Sequence, residues 1–447
     1  MLFTENVFLP SRLRFISKIA NNTLGQIEFL DSSEAVGIEG YKFRGVKGWV
    51  IHRKNGDRIL VVPKPTAVNP YGSVLLVPGI TRVPYMDNDG IQKARWLYPK
   101  VRTITDIDEL VSISQKARDS WANAFSFKSE ERNGDEIIKP GMRVPQLGAL
   151  YASLAHWIVT SEIGTVVMPT GTGKTETMLA LLACERPKCL FVVVPTSALR
   201  DQICKKFLTF GVLRKSGVIN SEVDLPVVGK VEHQFNNSDD AIQFLRSCNV
   251  AIATMAVVGG CSEEVQMAIA SECSHVFIDE AHHVSANTWN SFRELFHEQK
   301  KPVLQFTATP FRRDGKHLGG KSIFTYPLRK AQEEKYFTPI TFVSIWEYNR
   351  DTADLAIAKR GIQALEEDIK AGHDHILMAR TDNIERAKQI YSIYSALAPE
   401  FNPLIVHSNL PANEQTNAID KLRSRQSRVI VCVDMLGEGF DLPQLKI

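Results

Sequence analysis

Long apolar runs are what this sequence most plainly lacks. No stretch approaches the roughly 18 uninterrupted apolar residues that a bilayer-spanning helix needs, so no membrane partner is expected. The opening MLFTENVFLPSRLRF has no basic, then apolar, then small-residue layout, so no secretory signal is expected either. Cysteine is sparse: seven residues, odd in number, scattered, and without a Cys-x-x-Cys pair. That argues against a disulfide framework and a zinc site, and makes reduced thiols in a cytoplasmic protein the simplest account. Low-complexity tracts and short-period repeats are missing too. So is a strong charge of either sign: 53 Lys and Arg against 50 Asp and Glu leave a net +3. Such a balance permits a nucleic-acid partner without arguing for one.

With 447 residues there is room for two or three domains, each with its own core. Residues 1–140 read as a mixed α/β accessory domain. Tyr41–His52, Arg58–Pro63 and Ser73–Pro78 have strand composition, separated by Pro- and Gly-rich turns. Thr105–Phe125 reads as an amphipathic helix, with Ile107, Leu110, Val111, Ser114, Ala117, Trp121 and Ala124 at spacings of three and four. Thr105 and Asp108 are placed as its capping box. Lys128–Lys139 (KSEERNGDEIIK) is polar and charged and reads as a linker.

From Gly141 short apolar runs alternate with helical stretches: Thr165–Met168, Leu190–Val194, Val250–Ala253, His275–Ile278 and Val303–Phe306. A parallel sheet wrapped by helices is the expected result. The pattern loosens around Tyr326–Pro339. A second series then follows at Ile340–Ile345, His375–Met378, Leu404–Val406 and Val429–Val433. The expected fold class is therefore α/β, with two tandem parallel-sheet lobes at 141–332 and 333–447, the second incomplete, behind the mixed α/β, β-rich N-terminal part.

Gly164–Thr177 (GTVVMPTGTGKTET) has the layout of a phosphate-binding loop. An apolar strand leads into Thr170, Gly171, Thr172 and Gly173, and a helix opens at Lys174, Thr175 and Glu176. Glycines let backbone N–H groups wrap a polyphosphate, and the helix N-terminus presents its positive dipole end. Lys174 is placed to reach the outer phosphates, and the Thr175 hydroxyl to ligate magnesium. The strict pattern wants glycine five residues before Gly173, where this chain has Met168. Farther on, Asp279 and Glu280 follow a hydrophobic strand expected to lie beside that loop. Asp279 is suited to hold magnesium and Glu280 to activate water. His282 reads as a coupling or packing residue, and His283 as structural.

MPTGTGKT (Met168–Thr175), DEAH (Asp279–His282) and TATP (Thr307–Pro310), in that order, resemble motifs I, II and III of superfamily 2 helicases and translocases. The wider strings DEAHHVSANTW and FTATPFRRDGK resemble bacterial DEAH proteins of restriction, repair and defence systems. Arg143–Gln146 resembles the glutamine motif, which implies that Gln146 reads adenine. Val194–Arg200 and Ala253–Thr254 resemble motif Ia and a motif Ib or Ic element. Met378–Arg380 resembles motif IV, His407–Ser408 the element after it, and Asp434–Pro443 motif V. The resemblance spans residue 140 to the end and implies two RecA-like lobes with ATP and Mg2+ between them. It assigns nucleic-acid contacts to Thr196, Arg200, Thr254, Arg380 and Ser408. It also implies completion of the ATP pocket by Gly439 and Asp441, and coupling through His282, Thr307 and Thr309. Arg312 and Arg313 fit either substrate or lobe contacts. DNA is favoured over RNA by the wide strings, and protein partners would dock through the N-terminal domain.

Two departures bear on activity. Val433 stands where motif V usually has threonine, and the sequence reaches Ile447 without the arginine-bearing motif VI. An arginine finger is worth about 10³–10⁵ in rate. The expectation is an N-terminal part of a longer protein that binds ATP yet turns it over slowly on its own. An ATP-gated switch, or a targeting subunit in which the N-terminal domain does the recognising, are the competing readings.

Overall fold

A computed structural model describes residues 9–28, 35–53, 56–80, 94–134, 136–283, 286–311, 315, 317–336, 341–407, 409–433 and 444–446. The chain divides into two compact units, Met1–Thr338 and Pro339–Ile447.

The first unit is built on a ten-stranded sheet. From one edge its strands are Lys321–Thr325, Gly164–Val167, Val303–Thr307, His275–Ile278, Leu190–Val194, Val250–Thr254, Val228–Val231, Asn22–Glu28, Arg12–Ile19 and Arg102–Thr103. The first seven are mutually parallel. Leu190–Val194 shows why. All five of its residues (LFVVV) are buried, so both faces must be covered, and the branched side chains suit a pleated surface packed on each side. Leu190, Val192 and Val194 join one hydrophobic cluster with Met178, Leu182 and Phe207. Phe191 and Val193 join another with Phe244, Ala253 and Phe292. The period-two alternation thus feeds a core on each face. A fully buried Val, Leu or Phe is worth about 1.5–3 kcal/mol, so helices are held on both sides. The result is an α/β, RecA-like lobe.

The N-terminal part differs from the expected separate domain. Asn22–Glu28 pairs antiparallel with Val228–Val231, and Arg12–Ile19 continues the same sheet. These strands therefore extend the first lobe. The helix expected over Thr105–Phe125 runs Ile107–Ser120, and its N-cap is Asp106, which accepts from Asp108 N. The Asp106 carboxylate does the capping expected of Thr105. Trp121 is buried beyond the helix, its Nε1 donating to Asp224 O at 2.8 Å. Ala35–Phe43, Val46–Arg53, Arg58–Val62, Val74–Leu76 and Arg95–Tyr98 form a separate five-stranded sheet. The expected linker is also structured: Glu131–Asn133 pairs with Glu136–Lys139, and Glu130 N and Met142 N exchange hydrogen bonds with the facing carbonyls. Its charges sit on an exposed hairpin rather than in a solvated coil.

The second unit has three parallel strands in the order Leu377–Thr381, Val429–Val433, Leu404–Val406. The helices Arg350–Lys370, Ile384–Leu397 and Ala412–Arg423 accompany them. The strand expected over Ile340–Ile345 is not formed: residues 341–347 carry no regular structure, and residue 340 lies outside the described residues. Phe342 and Trp346 are exposed there, with no neighbouring strand among the described residues to hydrogen-bond them into a ladder.

Candidate active site

The strand Gly164–Val167 delivers the chain to a tight loop, anchored where Met168 N donates to Thr307 O at 2.9 Å. Gly171 (φ +84°) and Gly173 (φ +102°) take backbone conformations that a β-carbon disfavours. Thr172 is buried, and its hydroxyl donates to Pro169 O at 2.7 Å, closing the turn. The helix Lys174–Glu185 then begins at Gly173 with no side-chain cap. Its first N–H groups are left for an external acceptor, as an anion site requires. Thr177 Oγ1 donates to Gly173 O at 3.1 Å and holds the first turn.

Asp279 and Glu280 follow the strand His275–Ile278. That strand does not lie beside the phosphate-loop strand as expected; Val303–Thr307 lies between them. The acids still reach the loop. Lys174 Nζ lies 2.6 Å from Glu280 Oε1, with both side chains largely buried. Glu280 takes a left-handed backbone conformation (φ +47°), and its N–H donates to Asp279 Oδ1 at 3.0 Å. Burial first, and the neighbouring Glu280 second, push the Asp279 carboxyl up to about 6, while Lys174 pulls it down.

Beyond that ion pair, Lys174 Nζ and Glu280 Oε2 have no hydrogen-bond partner among the described residues. A buried amine and a buried carboxylate oxygen left unsatisfied are costly. A triphosphate at the uncapped helix start would satisfy the first, and a positioned water the second. A divalent cation beside Asp279 would favour its charged form. The residues present therefore fit ATP with magnesium.

His282, in the one-turn helix Ala281–His283, has Nδ1 3.0 Å from Thr307 Oγ1 and 3.6 Å from Glu280 Oε2. The Thr307 hydroxyl donates to Thr309 O at 2.7 Å, and Thr309 N donates back at 3.2 Å. The three residues expected to couple thus form one chain starting at Glu280.

Other expected residues fare differently. Gln146 is buried against the loop: a β-carbon on Gly173 would stand 2.0 Å from its Nε2. Its Oε1 accepts from Arg143 N at 2.9 Å, which engages one half of the amide within its own helix. Glu176 pairs with Lys206 at 3.0 Å. Thr170 is exposed and Thr175 half-buried beside Lys174. Thr196 caps the helix Ser197–Phe207 and Thr254 the helix Met255–Gly259, each accepting from a first-turn N–H. Arg200 is buried and donates to Val231 O at 3.2 Å and to Asp201. Its guanidinium therefore does not face solvent as a phosphate contact would require. Arg380 is exposed on the strand Leu377–Thr381. Ser408, Gly439 and Asp441, with Arg312 and Arg313, lie outside the described residues.

Sequence reasoning missed two loop neighbours. Arg143 Nη1 donates to Gly171 O at 3.0 Å. Tyr336 has the guanidinium of Arg143 5.2 Å and that of Arg132 5.5 Å from its ring centre. Arg143 could have been suspected from its place three residues before Gln146. Tyr336 comes from the far end of the unit, with no local pattern to mark it.

Strand, glycine turn, buried lysine and paired acids at the carboxyl ends of a parallel sheet define a P-loop nucleoside triphosphatase. Residues 139–312 match the family model described as Type III restriction enzyme, res subunit, and residues 360–447 match Helicase conserved C-terminal domain. Taken together, the two family models indicate a superfamily 2 helicase. It is 22% identical over 299 residues to a 51.5 kDa protein of Lactococcus phage (isolate 7-9), covering 62% of this chain and 56% of that one. It is 22% identical to the ATP-dependent RNA helicase DBP8 of Lodderomyces elongisporus, covering 62% of this chain and 63% of the relative. It is also 22% identical to the DNA 3'-5' translocase XPB2 of Sulfurisphaera tokodaii, covering 63% and 69%. The chain thus spans between about half and two thirds of the length of these relatives. No described helix is long and apolar enough to cross a membrane.

Proposed function

We propose that this chain is a nucleic-acid-dependent ATPase of the DEAH type, a helicase or translocase that acts on DNA in preference to RNA in the cytoplasm. The observation that carries the reading is the buried contact between Lys174 and Glu280 at the uncapped start of the phosphate-loop helix. Nothing in the packing of the lobe requires a cation and an anion to be buried there. A nucleotide that exchanges one partner for the other explains the pair.

In this reading Lys174 moves from Glu280 to the outer phosphates, and the freed Glu280 carboxylate takes a water as general base. Backbone N–H groups of Gly171 to Lys174 hold the polyphosphate. Thr175 and Asp279 would hold magnesium, which supplies charge neutralisation on the phosphates when bound. Gln146 bounds the adenine side. His282, Thr307 and Thr309 carry the state of Glu280 towards the strand ends. On the first lobe Thr196 and Thr254 meet nucleic acid from the starts of the helices they cap, and on the second Arg380 is exposed to do so. Arg200 acts there by positioning the helix it belongs to.

One observation favours a second reading, an ATP-gated switch or targeting subunit. Thr196, Thr254 and Arg200 already use their side chains within the protein. ATP turnover measured with single-stranded DNA, duplex DNA and RNA separates the two. Stimulation by DNA above RNA is expected. Turnover indifferent to all three would replace the motor by the switch.

A further inference from the structure

The hairpin Ala35–Phe43/Val46–Arg53 carries a feature that fold stability does not account for. Its second strand pairs with Arg58–Val62 only from Trp49 to His52. The pairs Tyr41–Gly48, Lys42–Lys47 and Phe43–Val46 run on past that contact. Gly48 marks the departure: a β-carbon there would stand 2.2 Å from Val61 O. Lys42 to Gly45 and Lys47 are exposed at this tip, while Tyr41 and Val46 still pack against the sheet's cluster with Leu60 and Val62.

Three choices at the tip oppose stability. Lys42 faces Lys47 directly across the strands, and Lys42 is exposed; like charges so placed repel. Arg44 occupies the left-handed first position of a two-residue turn (φ +48°), with Gly45 second (φ +78°). Asn, Asp or Gly is the unstrained choice at that first position. Phe43 is 52% exposed, with the Arg44 guanidinium 5.2 Å from its ring centre. The nearest acid along the strand, Glu39, is paired with His52 at 3.0 Å. Among the described residues no carboxylate is paired with Lys42, Arg44 or Lys47.

We propose that this tip is a single-strand nucleic-acid contact outside the motor lobes, with Phe43 stacking on a base while Lys42, Arg44 and Lys47 meet the flanking phosphates. It rests on the functional reading above only for the class of ligand. Phosphates would offset the lysine repulsion, and a base would cover the exposed ring. An acidic protein surface would use the cations but not the ring face beside them. Backbone charge plus aromatic stacking is the recipe for binding single strands with little sequence preference.

The test uses the full chain without ATP and follows anisotropy of a labelled DNA single strand, an RNA strand of equal length, and an abasic strand of equal length. Phe43→Ala is expected to weaken binding about 5- to 100-fold for the two base-bearing strands, and to leave the abasic strand unaffected. Lys42→Gln/Lys47→Gln is expected to flatten the slope of log affinity against log salt by about 1.4. Its thermal midpoint should be no lower than wild type, since a repulsion has been removed. Unchanged affinity for base-bearing strands in Phe43→Ala overturns the proposal. So does an equal loss on the abasic strand, which would mark a charge-only surface for any polyanion. The motor reading fails separately: turnover indifferent to nucleic acid, with binding still dependent on Phe43, leaves the tip standing and removes the motor.

Discussion

Lys174 and Glu280 lie 106 positions apart in the sequence, yet their charged ends are 2.6 Å apart inside the first lobe. A buried ion pair is weak evidence of stability, but breaking one side of it is expensive, about 3–5 kcal/mol. Lys174→Ala should therefore do two things. It should weaken ATP binding at least about 10- to 100-fold, from the loss of a charge-assisted contact. It should also lower the unfolding midpoint, because Glu280 is left buried without its partner. Adding Glu280→Gln should restore much of the stability and none of the ATP binding. Titration calorimetry and denaturant melts on the two single variants and the double variant check this. ATP affinity unchanged in Lys174→Ala would sink the phosphate-loop assignment.

Glu280→Gln alone keeps the shape of the site and removes the base. It should bind ATP at least as tightly as wild type and turn it over about 10²–10⁴ times more slowly. Steady-state phosphate release alongside equilibrium binding makes the comparison. A variant that retained most of its turnover would move the general base elsewhere.

Gly173 faces two constraints that can be pulled apart. Its φ of +102° resists any β-carbon, and the β-carbon position lies 2.0 Å from Gln146 Nε2. Gly173→Ala should lose ATP binding. If the clash alone mattered, Gln146→Ala would rescue it. We expect no full rescue, because the backbone strain, about 1–2 kcal/mol for a left-handed residue, remains. Binding measured on the double variant decides between the two.

The strands of the first lobe were legible because burial on both faces leaves only one pattern, as in LFVVV at Leu190–Val194. Lys174, Asp279 and Glu280 were legible for a related reason: charge placed directly after a buried strand or a glycine turn has few structural uses. Strand order was not legible, since nothing local to His275–Ile278 says that Val303–Thr307 will insert beside it. Nor was the fate of Asn22–Glu28, where the pairing with Val228–Val231 joins segments far apart in the chain. Arg200 misled for a different reason. Its position at a helix start suits a phosphate, and only packing shows the guanidinium turned inward to Val231 O.

The link between His282 and Thr307 makes a separable prediction. The 3.0 Å contact joins the acid-bearing segment to the strand end at Thr307, yet neither residue belongs to the phosphate loop itself. Thr307→Val keeps the volume and deletes the hydroxyl. ATP affinity should hold within about threefold, as for loss of one neutral hydrogen bond worth roughly 0.5–1.5 kcal/mol at a remove. The ratio of nucleic-acid-stimulated to basal turnover should fall. A variant that keeps its stimulation ratio would show that the contact is merely structural.

His275 gives the lobe a pH dependence away from the nucleotide. Burial pulls its imidazole down to about 4, against an ordinary value near 6.5, and Trp157 sits edge-on to it with ring centres 5.2 Å apart. The neutral ring is therefore favoured in the folded state. Above about pH 6.5 neither state holds the proton and His275 adds no pH dependence. As pH falls from there towards 4, the unfolded chain takes up the proton first and stability drains away. The full window is worth about 3 kcal/mol at 1.36 kcal/mol per pH unit. Denaturant midpoints for wild type should fall from pH 7 to pH 5 more steeply than for His275→Gln. The comparison uses the slopes, so that any packing loss in the variant cancels. Equal slopes would mean that the ring is protonated in the folded lobe as readily as in water.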